Sequence, residues 1–455
     1  MYFKQITTPG LGCYSYLIGC PLDGSAAVVD PRRDIDIYLQ LAAENGLKIN
    51  HIFDTHVHAD HVSGARELSR ATGAPIHIHQ SAGTGYEAEK VGPGDKFELG
   101  AAHLEILHTP GHTPNSISIL VTDVVRSHVP QMILTGDLLF VGDIGRPDLP
   151  GEEIMEEQVR NLYDSLNETL GGLPDGLEVY PAHGQGSLCG GGMSAMPHST
   201  LGYERVANRR LGLKDFGEFS KDILTNVPMR PQSFAHIIAA NLEGPPFLPE
   251  VDRAEKSLSP HRLSELKTAG VMILDLRNSL AFASAHIPGS LHVDGNKSQA
   301  LNWIGVAVPP QSRLALILDQ DADFEDRLTQ LRRIGYDRME GWLKGGIQAW
   351  IAEGGEVEPL PHISAGKLKE SLTGPNPPEV IDVRTEREYA ASKIPGARHV
   401  PFEKLLADPG CLGEARGERV IVCQSGFRAA VAGALMQSRG CRVSVVAGGM
   451  AAFSA

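Results

Sequence analysis

Four residue types that commonly bind metals fall within six positions of the segment DTHVHADHVSG, namely His56, His58, Asp60 and His61. They follow directly after the apolar run HIF, which predicts a strand that ends in a tight loop. Such a loop brings side chains to one point, and imidazole together with carboxylate suits zinc, iron or manganese. The segment therefore predicts a metal site.

Three further ligand-type residues each follow a predicted strand: His112 in TPGHTPNS, Asp137 in ILTGDLLF and His183 in VYPAHG. Single ligands on successive loops indicate a metal cleft at the edge of a β-sandwich. Other histidines lack this loop context, and we interpret them as structural: His77, His79, His103, His108 and His128.

A different chemistry is indicated by VIVCQSGFRAAVAGAL, where Cys423 ends an apolar strand and a short loop leads into a helix of small residues. The loop continues through Gln424, Ser425, Gly426, Phe427 and Arg428. Inward-pointing N–H groups and a helix N-terminus form a cradle for negative charge, to which Arg428 would add. The same field lowers the pKa of a thiol, so we predict that Cys423 is a nucleophile.

Cys189 in GQGSLCGGG lies six residues after His183, in a loop that we expect to be too glycine-rich for a core. It is a candidate catalytic residue at the metal cleft. The other cysteines are expected in packing or surface positions: Cys13, Cys20, Cys411 and Cys441.

Arg205 and Arg209, together with Arg210 and Lys214, recur at helical spacing in an acidic protein. They are candidate contacts for the carboxylates or phosphates of a thiol cofactor. The alternative interpretation is a solvated helix face.

The chain has 455 residues, of which 42% are hydrophobic and 21% charged, and this predicts two to four globular domains. Its net charge of −14 argues against nucleic acid or an anionic membrane as the main partner. The sequence lacks the roughly 18 uninterrupted apolar residues of a membrane span, and its start lacks a secretory signal pattern. We therefore expect a cytoplasmic protein whose partners are small molecules or proteins.

Residues 1–246 alternate short β-rich runs with turns and then become helical from about 200 to 242, which predicts a strand-heavy α/β domain. The Pro-rich segment EGPPFLPEV reads as a linker. Beyond it, VMILDLRNSLAFASAHIPGSLHV matches EVIDVRTEREYAASKIPGARHV, which reveals a repeat. We assign the two copies to residues 247–360 and 361–455, and their strand–helix alternation predicts parallel sheets with helices on both faces.

The two copies differ at one decisive position, because Asp319 stands where Cys423 stands in the second copy. The first copy therefore lacks the thiol nucleophile predicted at Cys423, and its acidic loop would repel anions. We therefore predict that the first copy is catalytically inactive and serves as a spacer, a docking piece or a homo-oligomer surface.

The HxHxDH segment with the later His, Asp and His resembles the metallo-β-lactamase superfamily, and TGDLLFVGDIGRPDL with YPAHGQGSLCG resembles its persulfide dioxygenase branch. The resemblance implies an αββα sandwich and one Fe(II) per chain held by His56, His112 and Asp137, with dioxygen as co-substrate. It also implies that His58, Asp60, His61 and His183 are retained as hydrogen-bonding partners around the iron.

The segments DVRTEREY, KIPGARHVPF, CQSGFR and VVAGGMAAF resemble a rhodanese domain. This implies that Cys423 holds a persulfide sulfur in the loop from Gln424 to Arg428, and that Asp382 and Arg384 form a buried structural pair. The resemblances together imply oxidation of a glutathione, coenzyme A or similar thiol persulfide to sulfite, coupled to formation of thiosulfate at Cys423 in sulfide detoxification.

Two alternatives stay open from the sequence. A glyoxalase II-like thioester hydrolase would use all seven ligand-type residues to bind two metals that activate water, with the sulfurtransferase merely attached. A persulfide carrier or sensor would use Cys423 to relay sulfur to a partner, with a first domain that only binds thiols.

Overall fold

A computed structural model describes residues 1–225, 230–249, 253–412 and 418–454 of the chain. The described residues form two compact units. The first comprises residues 1–249 together with 329–335, and the second comprises the others. Residues 250–252, at and just beyond the end of the predicted linker, lie outside the described residues.

Within the described part of the first unit, one sheet has the strand order β1-β2-β3-β4-β5-β6. Its strands are β1 (Tyr2–Thr8), β2 (Cys13–Cys20), β3 (Ser25–Val29), β4 (Lys48–Phe53), β5 (Ile76–His79) and β6 (Glu89–Val91). Strands β1 to β3 pair antiparallel, and β3 to β6 pair parallel.

The second sheet of this unit has the order β12-β11-β10-β9-β8-β7 over the described residues. Its strands are β7 (Lys96–Leu99), β8 (Ala102–His108), β9 (Ile117–Asp123), β10 (Met132–Gly136), β11 (Glu178–Pro181) and β12 (Ser199–Thr200). Antiparallel pairing prevails, except that β10 and β11 are parallel.

Helices cover the outer faces of both sheets: α1 (Asp36–Glu44), α2 (Ala65–Thr72), α3 (Met155–Asp164), α4 (Leu201–Ala207), α5 (Phe216–Thr225) and α6 (Ser233–Glu243). Alternate side chains of each strand point to opposite faces, so one sheet supplies two cores. Ile18 and Phe53 meet Leu104 and Ile119 between the sheets. Outside them, Val28 packs with Tyr38 of α1, and Ile133 packs with Leu162 of α3. These layers confirm the predicted αββα sandwich.

In the second unit, the first repeat has the described strand order β13-β17-β16-β14-β15. The strands are β13 (Ser257–Leu258), β14 (Met272–Asp275), β15 (Leu291–His292), β16 (Leu314–Ile317) and β17 (Met339–Leu343). The helices that begin between residues 253 and 346 are α7 (Arg253–Lys256), α8 (Pro260–Thr268), α9 (Ser279–Ser284), α10 (Ala300–Ala307), α11 (Phe324–Arg333) and α12 (Gly346–Ala352).

The second repeat has the equivalent order β18-β22-β21-β19-β20 over its described residues. The strands are β18 (His362–Ile363), β19 (Glu379–Asp382), β20 (Arg398–His399), β21 (Arg419–Val422) and β22 (Val443–Val446). The helices are α13 (Ala365–Leu372), α14 (Glu386–Ala391), α15 (Phe402–Ala407), α16 (Phe427–Gln437) and α17 (Gly449–Ser454). All strand pairs given for both repeats are parallel, which confirms the predicted sheets.

Two local expectations differ from the structure. The helix that carries Arg205 ends at Ala207, so Arg209, Arg210 and Lys214 do not continue one helical face. Cys189 is buried despite its glycine-rich loop, and a Cβ on the adjacent Gly190 would lie 3.1 Å from the ring of Phe140, so the chain packs closely there. In the described part of the chain, no helix has the length and apolar character needed to cross a membrane.

Candidate metal centre and sulfur-transfer loop

Loops that follow strands bring together His56, His112 and Asp137. His56 follows β4, His112 lies in the loop between β8 and β9, and Asp137 comes directly after β10. All three side chains are buried. Because their potential ligand atoms all lie within 4.8 Å of one another, the three residues can bind a single metal ion.

The closest approaches in this triad involve one carboxylate oxygen. Asp137 Oδ2 lies 3.3 Å from His112 Nε2 and 3.9 Å from His56 Nε2. Asp137 Oδ2 and His112 Nε2 are fully buried and have no hydrogen-bond partner among the described residues. A buried polar atom without a partner is costly, and a metal ion would satisfy both atoms at once. The donor set thus fits a metal.

Hydrogen bonds on the far side of each ligand orient the triad. His112 Nδ1 donates to the carbonyl oxygen of Arg146 over 2.8 Å, which leaves Nε2 as the nitrogen with a free lone pair. His56 Nδ1 lies 3.0 Å from the Thr55 hydroxyl. Asp137 Oδ1 accepts from His183 Nδ1 over 2.5 Å. Such outer partners fix the orientation of metal ligands.

Protonation in the triad also favours metal binding. Burial lowers the pKa of His112 and lowers that of His56 strongly, so both imidazoles are neutral near pH 7. Burial alone would raise the pKa of Asp137, but His183 and His112 hold it well below its usual range. Two neutral imidazoles and one carboxylate are the protonation states that a metal ligand requires.

A second cluster beside the triad is held together by Asp60. Its Oδ2 accepts from Cys13 Sγ over 3.1 Å and from His183 Nε2 over 2.8 Å, while its Oδ1 lies 3.1 Å from His61 Nδ1. These four residues also group as potential ligands. In contrast to the triad, the atoms in these contacts already have hydrogen-bond partners.

His58 belongs to neither cluster, because its Nε2 lies 3.1 Å from Asp30 Oδ1 and its Nδ1 has no partner among the described residues. Asp30 also accepts hydrogen bonds from the backbone and hydroxyl of Thr55, so it fixes the start of the loop that carries His56.

Cys189 lies near the triad, with its sulfur within 4.8 Å of potential ligand atoms of Asp137 and His183. Burial raises its pKa, which keeps the thiol protonated in the absence of a bound group. Arg205 and Arg209, by contrast, are engaged in ion pairs with Asp175 and Asp222 respectively.

Sequence reasoning missed Cys13 and Asp30. Cys13 lies in β2, 47 residues before Asp60, and it was expected to be a packing residue. Asp30 follows β3 with a φ of +52°, a conformation that Asp tolerates better than most residues. A carboxylate directly after a strand was a usable signal for Asp30. No spacing signal distinguishes Cys13.

The Cys423 loop connects β21 to α16 and places the sulfur in a buried position. Its Sγ accepts hydrogen bonds from the backbone N–H groups of Gly426, at 3.2 Å, and Ala429, at 3.3 Å. Gly426 adopts a φ of +94°, which favours glycine. The neighbouring Gly449 is also required, since a Cβ there would lie 2.3 Å from the carbonyl oxygen of Cys423.

Charged side chains support this loop from two directions. Arg428 Nη1 donates to Glu388 Oε2 over 2.7 Å, so its positive charge is partly offset. Arg384 pairs with buried Asp382 over 2.7 Å, as predicted, and also donates to Gln424 Oε1. The loop is therefore tied to β19 and α14.

The strand register places Leu318 after β16 where Cys423 follows β21, so the prediction that Asp319 takes the place of Cys423 is wrong by one residue. Asp319 is the next residue of this loop, and its carboxylate is a hydrogen-bond acceptor. It accepts from the backbone N–H and side-chain amide of Asn278, at 3.2 and 3.3 Å, and from the side-chain amide of Asn296, at 3.0 Å. These donors come from outside its own loop. The carboxylate therefore connects three segments of the first repeat.

Comparison with protein families matches residues 8–188 to the metallo-beta-lactamase superfamily and residues 259–353 and 364–455 to the rhodanese-like domain. A crystal structure of a metallo-beta-lactamase from Staphylococcus aureus subsp. aureus COL shares 32% identity at a TM-score of 0.68, covering 75% of this chain and 98% of that chain.

Among curated relatives, hydroxyacylglutathione hydrolase of Polaromonas sp. is 36% identical over 174 residues, covering 37% of this chain and 61% of that protein. The mitochondrial persulfide dioxygenase ETHE1 of Mus musculus is 31% identical over 256 residues, covering 52% of this chain and 87% of that protein. The chain therefore belongs to the persulfide dioxygenase family of the metallo-beta-lactamase superfamily, joined here to rhodanese-like domains.

Proposed function

We propose that the chain oxidises a low-molecular-weight thiol persulfide with dioxygen, using one Fe(II) held by His56, His112 and Asp137. The observation that carries this proposal is the pair of buried atoms without partners, His112 Nε2 and Asp137 Oδ2. They lie 3.3 Å apart at one point, whereas Asp60, His61 and His183 are joined by hydrogen bonds. This contrast supports one metal per chain.

The balanced reaction is RSSH + O2 + H2O giving RSH + sulfite + two protons. Fe(II) held by His56, His112 and Asp137 would supply the chemistry that lets a persulfide react with dioxygen. The chain's own groups hold that geometry: Arg146 fixes the tautomer of His112, and His183 bridges Asp137 and Asp60. We assign His58, Asp60, His61 and His183 this supporting role.

The second half-reaction takes place at Cys423. Its thiolate attacks the outer sulfur of RSSH, the S–S bond breaks, and RSH leaves with the proton. Sulfite then attacks the outer sulfur of the Cys423 persulfide, which releases thiosulfate and restores the thiol. The N–H groups of Gly426 and Ala429 stabilise the thiolate at the start and end of this cycle.

Other assignments belong to the same proposal. Cys189 is a catalytic candidate because its sulfur lies beside Asp137 and His183. Arg205 and Arg209 would bind an anionic part of the thiol carrier only by exchanging their present partners, Asp175 and Asp222. We propose that the metal-binding domain spans residues 1–246 and that the two rhodanese-like domains span residues 247–360 and 361–455.

A second candidate is the binuclear thioester hydrolase. The 36% identity with hydroxyacylglutathione hydrolase over 174 residues favours it, as does the clustering of Asp60, His61 and His183 beside the triad. That enzyme would need no oxygen and would cleave an acylated glutathione.

The two candidates separate when anaerobically purified, iron-loaded protein is given glutathione persulfide, coenzyme A persulfide or a glutathione thioester. With a persulfide we expect oxygen uptake equal to the sum of sulfite and thiosulfate formed, and we expect no thioester cleavage. Thioester cleavage without oxygen uptake would support the hydrolase instead.

A further inference from the structure

A cavity of about 610 Å³ in the second unit opens over the Cys423 loop, and its walls come from both repeats. The second repeat contributes Ser425, Gly426 and Phe427 of the loop. The first repeat contributes Asn278, Leu280 and Lys297, among others. The repeat without a cysteine therefore forms part of the space next to the cradle of the repeat that has one.

The contribution of the first repeat is held in place. Asp294 accepts hydrogen bonds from the backbone N–H and hydroxyl of Ser279, both at 3.2 Å. Asp319 accepts hydrogen bonds from Asn278 and Asn296, at distances of 3.0 to 3.3 Å. It thus orders Asn278 and the residue that directly precedes Lys297.

Aromatic packing joins the two repeats at the same place. The Trp303 ring of the first repeat lies 5.0 Å from the Phe402 ring and 6.1 Å from the Phe427 ring, both of the second repeat. Edge-to-face contacts at these distances are favourable. The wall supplied by the first repeat therefore has a fixed relation to the loop that contains Phe427.

The charge of the cavity comes from few groups. Lys297 is exposed, and within the described residues its ammonium has no ion-pair partner. Asp294 contributes a carboxylate that accepts hydrogen bonds from the backbone N–H groups of Ser279 and Asn296, which are neutral donors. Burial lowers the pKa of His362, which leaves that imidazole neutral near pH 7. Arg428 is paired with Glu388 outside this set of lining residues. Among the described residues that line the cavity, Lys297 therefore supplies the cationic side chain, beside the carboxylate of Asp294.

The remaining lining is partly apolar, with Leu280 74% exposed and Phe427 beside it in the wall. Such a cavity suits a small sulfur compound that combines an anionic group with a short carbon skeleton, or a bare sulfur oxyanion. A positive side chain on the wall would bind the anionic end and hold the compound at the mouth of the Cys423 loop.

We infer that Lys297 of the inactive repeat determines specificity at Cys423 by binding the oxyanion end of the sulfur compound that exchanges sulfur there. This inference rests on the proposed sulfur transfer. Lys297 makes and breaks no bond in that transfer. It lowers the KM of anionic substrates and leaves kcat nearly unchanged.

The test uses the full chain under anaerobic conditions, with Cys423 loaded from glutathione persulfide. Two acceptors are compared, anionic sulfite and the neutral thiol 2-mercaptoethanol. In Lys297→Ala we expect the KM for sulfite to rise about three- to fivefold, the size of an exposed ion pair, with kcat within about twofold. Lys297→Arg should restore the KM, and added salt should reduce the difference.

Lys267→Ala is the matched control, because Lys267 is an exposed lysine of the same repeat that lines a different cavity. It should behave as the wild type, and the neutral acceptor should not respond to any of these variants. An unchanged KM for sulfite in Lys297→Ala, or an equal change for both acceptors, would overturn the inference. A wild type that transfers no sulfur to either acceptor would instead refute the proposed function, and the inference with it.

Discussion

The proposed metal centre draws His56, His112 and Asp137 from loops that are 56 and 25 positions apart, whereas Cys423 and its two backbone donors lie within six residues. The first site therefore depends on the sandwich that brings distant loops together. The second depends on the shape of one loop between β21 and α16, backed by Gly449.

The two sites also differ in what completes them. In the triad, buried atoms of His112 and Asp137 have no hydrogen-bond partner among the described residues, and a metal ion would satisfy both. At Cys423, the chain's own N–H groups already satisfy the sulfur. Our proposal is that the first site needs an ion to function and that the second needs only its thiol. The two half-reactions should therefore fail independently.

The largest effect should follow from Cys423→Ser, which removes the nucleophile and leaves the cradle intact. We expect thiosulfate formation to fall by several orders of magnitude, while oxygen uptake and sulfite formation persist. Thiosulfate and sulfite are measured together from glutathione persulfide, with Cys441→Ser as the control. If the variant stops consuming oxygen, the sites are not independent.

His112→Ala tests whether sulfur transfer at Cys423 survives the loss of the metal centre. Changing a residue that only hydrogen-bonds to a metal ligand can reduce activity by up to about 100-fold. Removal of a ligand itself should therefore lower iron binding and reduce oxygen uptake by more than about 100-fold. Sulfur transfer from Cys423 to sulfite should remain at the wild-type rate. His103→Ala, on strand β8 and outside the potential ligand groups found in the described residues, is the matched control. Loss of transfer in His112→Ala would contradict the separation.

The buried Asp–Arg pairs of the two repeats allow a comparison of stability, which tests whether the pair near Cys423 holds its loop in place. Arg384→Ala leaves Asp382 buried without its cation and should lower the free energy of unfolding by about 3–5 kcal/mol. Arg277→Ala breaks the same pair with Asp275 in the first repeat and should cost a similar amount. Urea unfolding followed by circular dichroism measures both. A much smaller loss for Arg384→Ala would mean that other contacts hold the loop.

The smallest effect concerns Glu388. Burial raises its pKa, but Arg428 and Thr385 lower it more, to about 2. A depressed carboxyl pKa stabilises the fold above the unfolded-state value of about 4.3 and loses that effect as the pH falls toward 2. Because the pair is partly exposed, Glu388→Gln should cost about 0.2–1 kcal/mol at pH 7. Denaturant titrations should show this difference shrinking below about pH 5, and a constant difference would exclude the ion pair as its source.

Much of the fold could be predicted from the sequence. Short β-rich apolar runs bounded by turns located the strands around His56, Asp137 and His183, and the matching DLR and DVR segments revealed the repeat. Both repeats have equivalent strand orders and buried Asp–Arg pairs. These features are local, so a single sequence contains them.

The rest required the three-dimensional structure. Cys13 meets Asp60 only because β2 runs past the loop after β4, and no spacing rule predicts that contact. Arg209 and Arg210 were expected on one helical face, yet α4 ends before them. The cavity that joins Lys297 to the Cys423 loop depends on how two repeats pack, which residue types alone do not reveal.

The most direct test of the account is an anaerobic titration of the metal-free chain with Fe(II), followed at each step by the rate of oxygen uptake with glutathione persulfide. We predict that uptake rises in proportion to bound iron and reaches its maximum at one iron per chain. A maximum at two metals per chain, or no uptake at any loading, would contradict a single iron at His56, His112 and Asp137.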